Sequence, residues 1–269
     1  MSTFITEDWL RANHTLSEGS EIRLPVDSRM TPSARELIDA RHLLVKFQDD
    51  EGRLFVEEQE QLQPVHGLTS EPAAQVAHCE LCKQHVQEKP DTLTHLNAQV
   101  MVAKNDPRLA FRASLDSSIA TAVWLQTEFD KSAALWLADI RSLLGNIMRA
   151  DALEKALPEQ QIVGLSADDL HRLSHQPLKY LGHDHLVPDA AHGRDVALLN
   201  LLRTSIRESE ICAAQVFIGV DYHVQKADLL QALNRLSSAV YVLMILCLKK
   251  EWPDAKTLQR RLAGGTHAA

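Results

Sequence analysis

Two of the chain's four cysteines and three of its thirteen histidines fall in one short stretch, "VHGLTSEPAAQVAHCELCKQHV", from Val65 to Val86. Cys79 and Cys82 have C-x-x-C spacing, which lets both thiolates reach one ion from a tight turn. His78 is adjacent, His85 follows three residues on, and His66 lies upstream across a loop. Sulfur with imidazole suits zinc or ferrous iron far better than magnesium. A divalent metal site is therefore the favoured reading, with the fourth ligand not named by the spacing. A redox pair lacks the thioredoxin-like βαβ context it needs, and two idle thiols remain the bland alternative.

Three further placements could do chemistry. In "LLNLLRTSIRESEICAAQVF", Arg203, Arg207 and Glu210 stand at i, i+4 and i+7 beside the apolar stripe Leu199, Leu202 and Ile206. Two arginines on one helix face can clamp phosphate oxygens, although a solvated Arg–Glu ladder has the same spacing. Asn234, Ser238 and Tyr241 share one face of an otherwise apolar helix, and such a strip wants partners in the protein or in a ligand. Arg112, Asp116, Ile119 and Val123 recur with a helical period, which sets Asp116 in or beside an apolar stripe. A carboxylate there needs a cation. Arg203 or Arg207 is the expected partner, within the subunit or across an oligomer interface. A local Arg112–Asp116 pair is the alternative, in the weaker order for a helix. His171, His175, His183, His185 and His192 crowd the next segment and read as surface or substrate-lining groups.

These residues must be positioned by helices. From about Pro107 the chain has helical periodicity over roughly 107–128, 131–156, 166–180, 191–218 and 226–250, with a short helix near 254–263. "SADD" offers Ser166 as a cap answered by Asp169. Leu229, Leu233, Leu236, Val240, Leu243 and Cys247 make a core stripe in the last long helix. Five antiparallel helices with short loops make a bundle. The first 60 residues differ. "EIRLPV" and "LLVKF" read as short strands, "DDEG" before "RLFV" as a hairpin turn, and Thr31-Pro32 as a helix start. The expected fold is mainly α: a five-helix bundle with a small N-terminal α/β appendage and a metal-binding loop. The boundaries are 1–60 for the appendage, 61–92 for the Cys/His loop and 93–269 for the bundle domain.

The totals narrow the function. The formal net charge of −8 disfavours nucleic acid and anionic membranes, so an anionic ligand must meet a local cluster of Arg and Lys. The most apolar run, Ala239 to Leu248, is about half the length needed to span a bilayer and reads as a buried helix. Four cysteines without a leader-like N-terminus fit reduced thiols in the cytoplasm. The P-loop, G-x-G-x-x-G, G-x-S-x-G and H-E-x-x-H signatures are all absent from the sequence.

Long segments also carry a family resemblance. "FITEDWLRANHTLSEGSEIRLPVDSRMTPSAREL", "KPDTLTHL", "VAKNDPRLAFRASLDSSIA", "DLHRLSHQPL", "HDHLVPDAAHGRD", "LLNLLRT" and "LQALNRLSS" resemble the ethanolamine-utilization corrinoid adenosyltransferases over nearly the whole chain. The helical half is more distantly similar to the propanediol-utilization and human type of ATP:corrinoid adenosyltransferase. The resemblance implies transfer of the adenosyl group of ATP to cob(I)alamin, making adenosylcobalamin for ethanolamine ammonia-lyase. It puts Asp116 on the distant type's L-D-E-L helix, Arg203, Arg207 and Glu210 on its R-T-x-x-R-R-A-E motif, and Asn234 on its L-N-R-L-S-D motif. It implies an ATP-holding region over 89–104 with Lys89, Thr92, Thr94 and Lys104. His185, Leu186 and Val187 fall where the distant type covers the corrin face. The family's metal pattern, His, eleven residues, then Cys-Cys-x-x-Cys, falls on His66, His78, Cys79 and Cys82, with an imidazole in place of one thiolate. ATP, a corrinoid, Mg2+ and one Zn2+ or Fe2+ are the implied cofactors and substrates. A corrinoid reductase, ethanolamine ammonia-lyase and further copies of the chain, as a dimer or trimer, are the implied partners, in the cytoplasm with a bacterial microcompartment as an open address. The rival reading is a metal-binding helical structural or regulatory protein that keeps the fold without activity.

Overall fold

The computed structural model describes residues 4–58, 61–64, 77–97 and 99–264. Its N-terminal part comprises β1 (Phe4–Ile5), α1 (Glu7–Asn13), β2 (Glu21–Pro25), β3 (Arg29–Met30), α2 (Pro32–Ala40), β4 (Leu44–Gln48), β5 (Leu54–Glu58) and β6 (Gln61–Pro64). Thr31 caps α2 by accepting from the Ala34 N–H, and Pro32 takes the first turn, where its missing N–H costs nothing. The helix carries the chain from β2 to β4, which pair in parallel, and β5 and β6 extend the sheet antiparallel in the order β2-β4-β5-β6. Ile5, Leu10, Ile22, Leu24, Ala34, Ile38 and Phe47 form a core of their own.

A second sheet joins β7 (His78–Cys79), β8 (Leu93–His95) and β9 (Val100–Ala103) in the order β7-β9-β8. The strands over 61–64 and 78–79 differ from the loop expected over 61–92, and those at 93–95 and 100–103 are not expected at the start of the bundle domain. Strands of two to four residues are too short to establish an alternating period.

The helical part is α3 (Pro107–Glu128), α4 (Lys131–Ala152), α5 (Ala167–His175), α6 (Pro177–Leu181), a 3-10 turn (Ala190–His192), α7 (Gly193–Phe217), α8 (Ala227–Lys249) and α9 (Ala255–Gly264). Ser166 and Asp169 close the expected capping box at α5. The expected helix 166–180 is two helices, because Pro177 lacks an N–H and pushes Gln176 to φ −130, ψ 57. The architecture is mainly α. Helix α3 packs on α4 and α7, and α8 packs on α7, α5 and α4, around one apolar core. Leu229, Leu233, Leu236, Val240 and Leu243 are buried as their spacing requires, with Cys247 half-buried at the stripe's end. Helix α8 is long and apolar enough by composition to cross a membrane, yet residues 242–246 are buried against the other helices on every side.

One buried carboxylate ties the two parts together. Asp139 of α4 accepts hydrogen bonds from the hydroxyls of Thr15 and Ser17 and from the Val163 N–H, each at 2.7 Å. Burial outweighs these bonds and pushes its pKa from 3.8 up to about 6. A raised carboxyl pKa favours the folded state while the proton is kept, so this contribution is lost as pH rises from about 4 through about 6. An Asn side chain at 139 can still accept from Val163 and Ser17 and donate to the Thr15 hydroxyl. Asp139→Asn is therefore expected to match or exceed the parent's stability above pH 6 and to lose that advantage near pH 4. Denaturant melts from pH 4 to 8 check this, and a parallel pair of pH curves would refute it.

Candidate active site

Burial of Leu199, Leu202 and Ile206 against the core turns the adjacent face of α7 toward the outer edge of α8. Arg203 lies there half-buried, with its guanidinium 5.7 Å from the centre of the Tyr241 ring and a weak hydrogen bond of 3.4 Å to Asn200. Among the described residues no carboxylate pairs with it. Burial, followed by the neighbouring Arg207 charge, holds its pKa below the usual arginine range. The contrast with other arginines is direct: Arg108, Arg112 and Arg141 each meet a carboxylate. Arg207 is exposed one turn on from Arg203. One further turn along, Asn234 of α8 donates to Glu210 at 2.9 Å, bridging the two helices. From Arg203 to Glu210 this face runs about 10 Å at the helical rise.

The segment after α6 joins the same face. The Leu186 N–H donates to the Tyr241 hydroxyl at 2.6 Å. Leu186 is 6% exposed and Val187 77% exposed, with His185 also exposed between them and Asp184, whose carboxylate accepts the His185 N–H. Arg203, Arg207, Glu210, Asn234 and the 185–187 segment are thus brought together. Tyr241, which the sequence marked only as a polar position on an apolar helix, connects Arg203 to the 185–187 segment.

Asp116 does not join them within one chain. The inward positions of α3 are Phe111, Leu115, Ser118, Ala122 and Leu125, so the helical period leaves Asp116 exposed. Among the described residues it forms no ion pair, neither with Arg203 or Arg207 nor with Arg112. The buried pair expected from the sequence is therefore absent inside the subunit. Where α3 crosses α7, the Ser118 hydroxyl lies 2.9 Å from that of Ser205 and 3.1 Å from that of Ser209, so small polar groups let the helices approach closely. No sequence signal distinguished these serines from ordinary surface ones.

Of the residues assigned to ATP, Thr94 lies on the second sheet, and Thr92 and Lys104 flank its strands. Strands β8 and β9 pair Thr94 with Val102, and the Lys104 N–H donates to the Thr92 carbonyl at 2.9 Å, so Thr92, Thr94 and Lys104 share one end of the hairpin. Lys89 is exposed upstream. Asp106 caps α3, and Arg108 in its first turn pairs with both Asp106 and Glu80. The Arg108 hydrogen bond holds the Asp106 carboxyl below the usual range. Arg112 does what neither sequence reading expected. It donates to Asp151 of α4 at 2.6 Å and to the Leu96 carbonyl at 2.5 Å. It borders a cavity of about 610 Å³ lined by Leu96, Arg108, Arg112, Asp151, Phe217 and Lys226 among others.

The C-x-x-C motif forms a tight turn out of β7. The Cys79 N–H donates to the Gln84 carbonyl and the Lys83 N–H to the Cys79 carbonyl. Hydrogen bonds from the Cys82 N–H and thiol and from the Leu81 N–H lower the Cys79 pKa. Two thiols presented to such donors suit a soft divalent metal. His78 precedes Cys79 in the same strand, and successive strand residues project to opposite faces. Among the described residues no group of three or more metal-ligating side chains gathers, and His66 lies outside the described residues.

Residues 4–74 match the family model "Corrinoid adenosyltransferase EutT N-terminal domain", and residues 85–247 match "Cobalamin adenosyltransferase". The chain is 67% identical over 263 residues to the corrinoid adenosyltransferase EutT of Escherichia coli, covering 97% of this chain and 98% of that one. It is 64% identical over the same shares to the corrinoid adenosyltransferase EutT of Salmonella typhimurium. Among solved structures, a variant PduO-type ATP:corrinoid adenosyltransferase from Lactobacillus reuteri, complexed with cobalamin and ATP, matches 57% of this chain and 87% of its own at 18% identity, with a TM-score of 0.41.

Proposed function

We infer that this chain, which belongs to the corrinoid adenosyltransferase EutT family, transfers the adenosyl group of ATP to cob(I)alamin and so makes adenosylcobalamin. The observation that carries the reading is Arg203, a half-buried cation with no carboxylate partner among the described residues, beside Arg207 on the α7–α8 face. Reduced cobalt is itself the nucleophile, so the reaction calls for no activated Ser, Cys or His. Co(I) donates an electron pair to C5′ of ATP, the C5′–O bond breaks, and triphosphate departs with that bond's electrons. The protein's task is to hold C5′ in line with cobalt and to stabilise the charge that gathers on triphosphate.

Arg203 and Arg207 supply the opposing positive charge in our reading, and Asn234 fixes Glu210 so that the acidic end of the face stays off the phosphates. Lys89, Thr92, Thr94 and Lys104 bind ATP at the β8–β9 hairpin, with Mg2+ carried in on the phosphates. A partner copy in a dimer or trimer would bring its hairpin and Asp116 to this face. His185 and Val187 face the corrin, whose lower side must be kept apolar and dry for reduction. The five helices α3, α4, α5, α7 and α8 form the catalytic bundle of 93–269, with 1–60 as an appendage and 61–92 as the metal loop. The product serves ethanolamine ammonia-lyase, a corrinoid reductase supplies the electron, and the address is the cytoplasm or a microcompartment within it. The curated relatives count against a non-catalytic metal-binding protein.

Anaerobic incubation with ATP, Mg2+ and chemically reduced corrinoid is expected to give the visible spectrum of an alkyl-cobalt product. No such product from folded protein would overturn the reading.

The metal remains part of the proposal. Cys79 and Cys82 hold one Zn2+ or Fe2+, with His66 as a further donor and His78 as the weakest candidate because of its strand position. When bound, the metal supplies a crosslink that orders the loop. Glu80 lies within this turn and pairs with Arg108, so order there extends to the start of α3. Cys79→Ala and Cys82→Ala are each expected to lose stoichiometric metal while the helical circular dichroism survives. Full metal content in both variants would rule the site out, and loss of helix would make the metal a staple of the fold.

A further inference from the structure

We infer that Tyr241 is a positioning residue whose two ends hold the triphosphate-facing arginine and the corrinoid-facing segment in one geometry. Its ring lies 5.7 Å from the Arg203 guanidinium, and its hydroxyl accepts the Leu186 N–H at 2.6 Å. The two contacts come from parts of the chain 55 and 38 residues away from Tyr241, so no local feature of α8 produces either.

The ring face supports a cation without neutralising it. A carboxylate at the same place would pair with Arg203 and compete with phosphate. The aromatic face leaves all the guanidinium N–H groups available apart from the weak contact to Asn200. The hydroxyl acts at the other end. It anchors the backbone at Leu186, which goes into the core at 6% exposure. That fixed point leaves Val187, 77% exposed, as the apolar side chain free to lie against a flat ligand, with His185 on the other side of the anchor. Phenylalanine in place of Tyr241 would keep the support of Arg203 and lose the anchor, and leucine would lose both. The inference rests on the proposed assignment of 185–187 to the corrin face and of Arg203 to the triphosphate.

The test uses Tyr241→Phe, Tyr241→Leu and Val187→Ala in the full-length enzyme. Amide hydrogen exchange at Leu186 reads the anchor, the separate KM values for ATP and corrinoid read the two ends, and the visible spectrum of bound cob(II)alamin reads the cobalt environment. Tyr241→Phe is expected to speed Leu186 exchange and to raise the corrinoid KM by about tenfold, the worth of one buried hydrogen bond, with the ATP KM unchanged. The bound cob(II)alamin spectrum should shift toward that of the free corrinoid. Tyr241→Leu should raise both KM values. Unchanged Leu186 exchange in Tyr241→Phe overturns the inference, as does an equal rise of both KM values in that variant. Faster exchange with an unchanged corrinoid KM also overturns it. In that case a normal corrinoid KM in Val187→Ala traces the failure to the assignment of the segment, and a raised one traces it to Tyr241.

Discussion

Replacing Arg203 by alanine is expected to slow adenosyl transfer by roughly a hundred- to a thousand-fold, about 2.7–4 kcal/mol of transition-state stabilisation, the scale seen when one preorganised donor is removed. Folding stability should stay level or rise slightly. The asymmetry follows from the surroundings of the side chain. Arg203 is half-buried beside Arg207, with an aromatic face and a weak amide contact as its support. Among the described residues of its own subunit no ion pair repays its desolvation, so truncation strands no buried partner there. In a role confined to the fold, stability and turnover would fall together. Arg203→Lys should recover only part of the rate, because a single ammonium cannot make two parallel contacts to phosphate. Thermal melts beside turnover at saturating ATP decide the matter, and a large loss of stability in Arg203→Ala would refute it.

Removing Asp151 is expected to have the largest effect on stability. Its side chain is 7% exposed and that of Arg112 20%, so Asp151→Ala leaves a nearly buried guanidinium with one carbonyl partner. Breaking such a pair from one side costs about 3–5 kcal/mol. Arg112→Met should cost a similar amount by stranding the carboxylate and freeing the Leu96 carbonyl. The double variant Arg112→Met with Asp151→Leu should be less destabilised than the sum of the singles, because it removes both charges. Denaturant titration of the four proteins gives the coupling. Simple additivity would show that the pair contributes nothing beyond its separate members. The same variants should loosen the β8–β9 turn, which Asn97 also ties to Glu154, just past the end of α4.

Polar partners explain where sequence reasoning succeeded and where it failed. Arg112 and Asp116 stand one turn apart, and the sequence offers each of them only nearby or homologous charges as partners. The partner Arg112 takes is 39 residues away, on a helix whose rotation about its own axis no local pattern reports. One residue of helix turns a side chain by about 100°, so a stripe drawn through Ile119 and Val123 placed Asp116 near the core, while the stripe through Leu115 and Ser118 leaves it outside. The Arg203–Glu210 face was legible because Leu199, Leu202 and Ile206 mark the inward side without ambiguity. The strands over 61–64, 78–79 and 93–103 escaped notice because their hydrogen bonds join segments that are separately too short to carry a period.

What the sequence determined by itself is therefore local or inherited. Helix starts at Thr31, Asp106 and Ser166 follow from side chains that satisfy the first free N–H groups within three residues. The mainly α architecture follows from summed helical period, and the family from long matched segments. The tertiary structure alone decided which polar groups meet. It joined Asp139 to Ser17 across 122 residues, Arg112 to Asp151, and Tyr241 to both Arg203 and Leu186. A buried polar group takes whatever partner the packing of the apolar faces brings within about 3 Å, because leaving it unpaired costs more than the contact gains. Packing sets those distances only after every helix has found its register against its neighbours, and that register is a property of the whole core rather than of any segment in it.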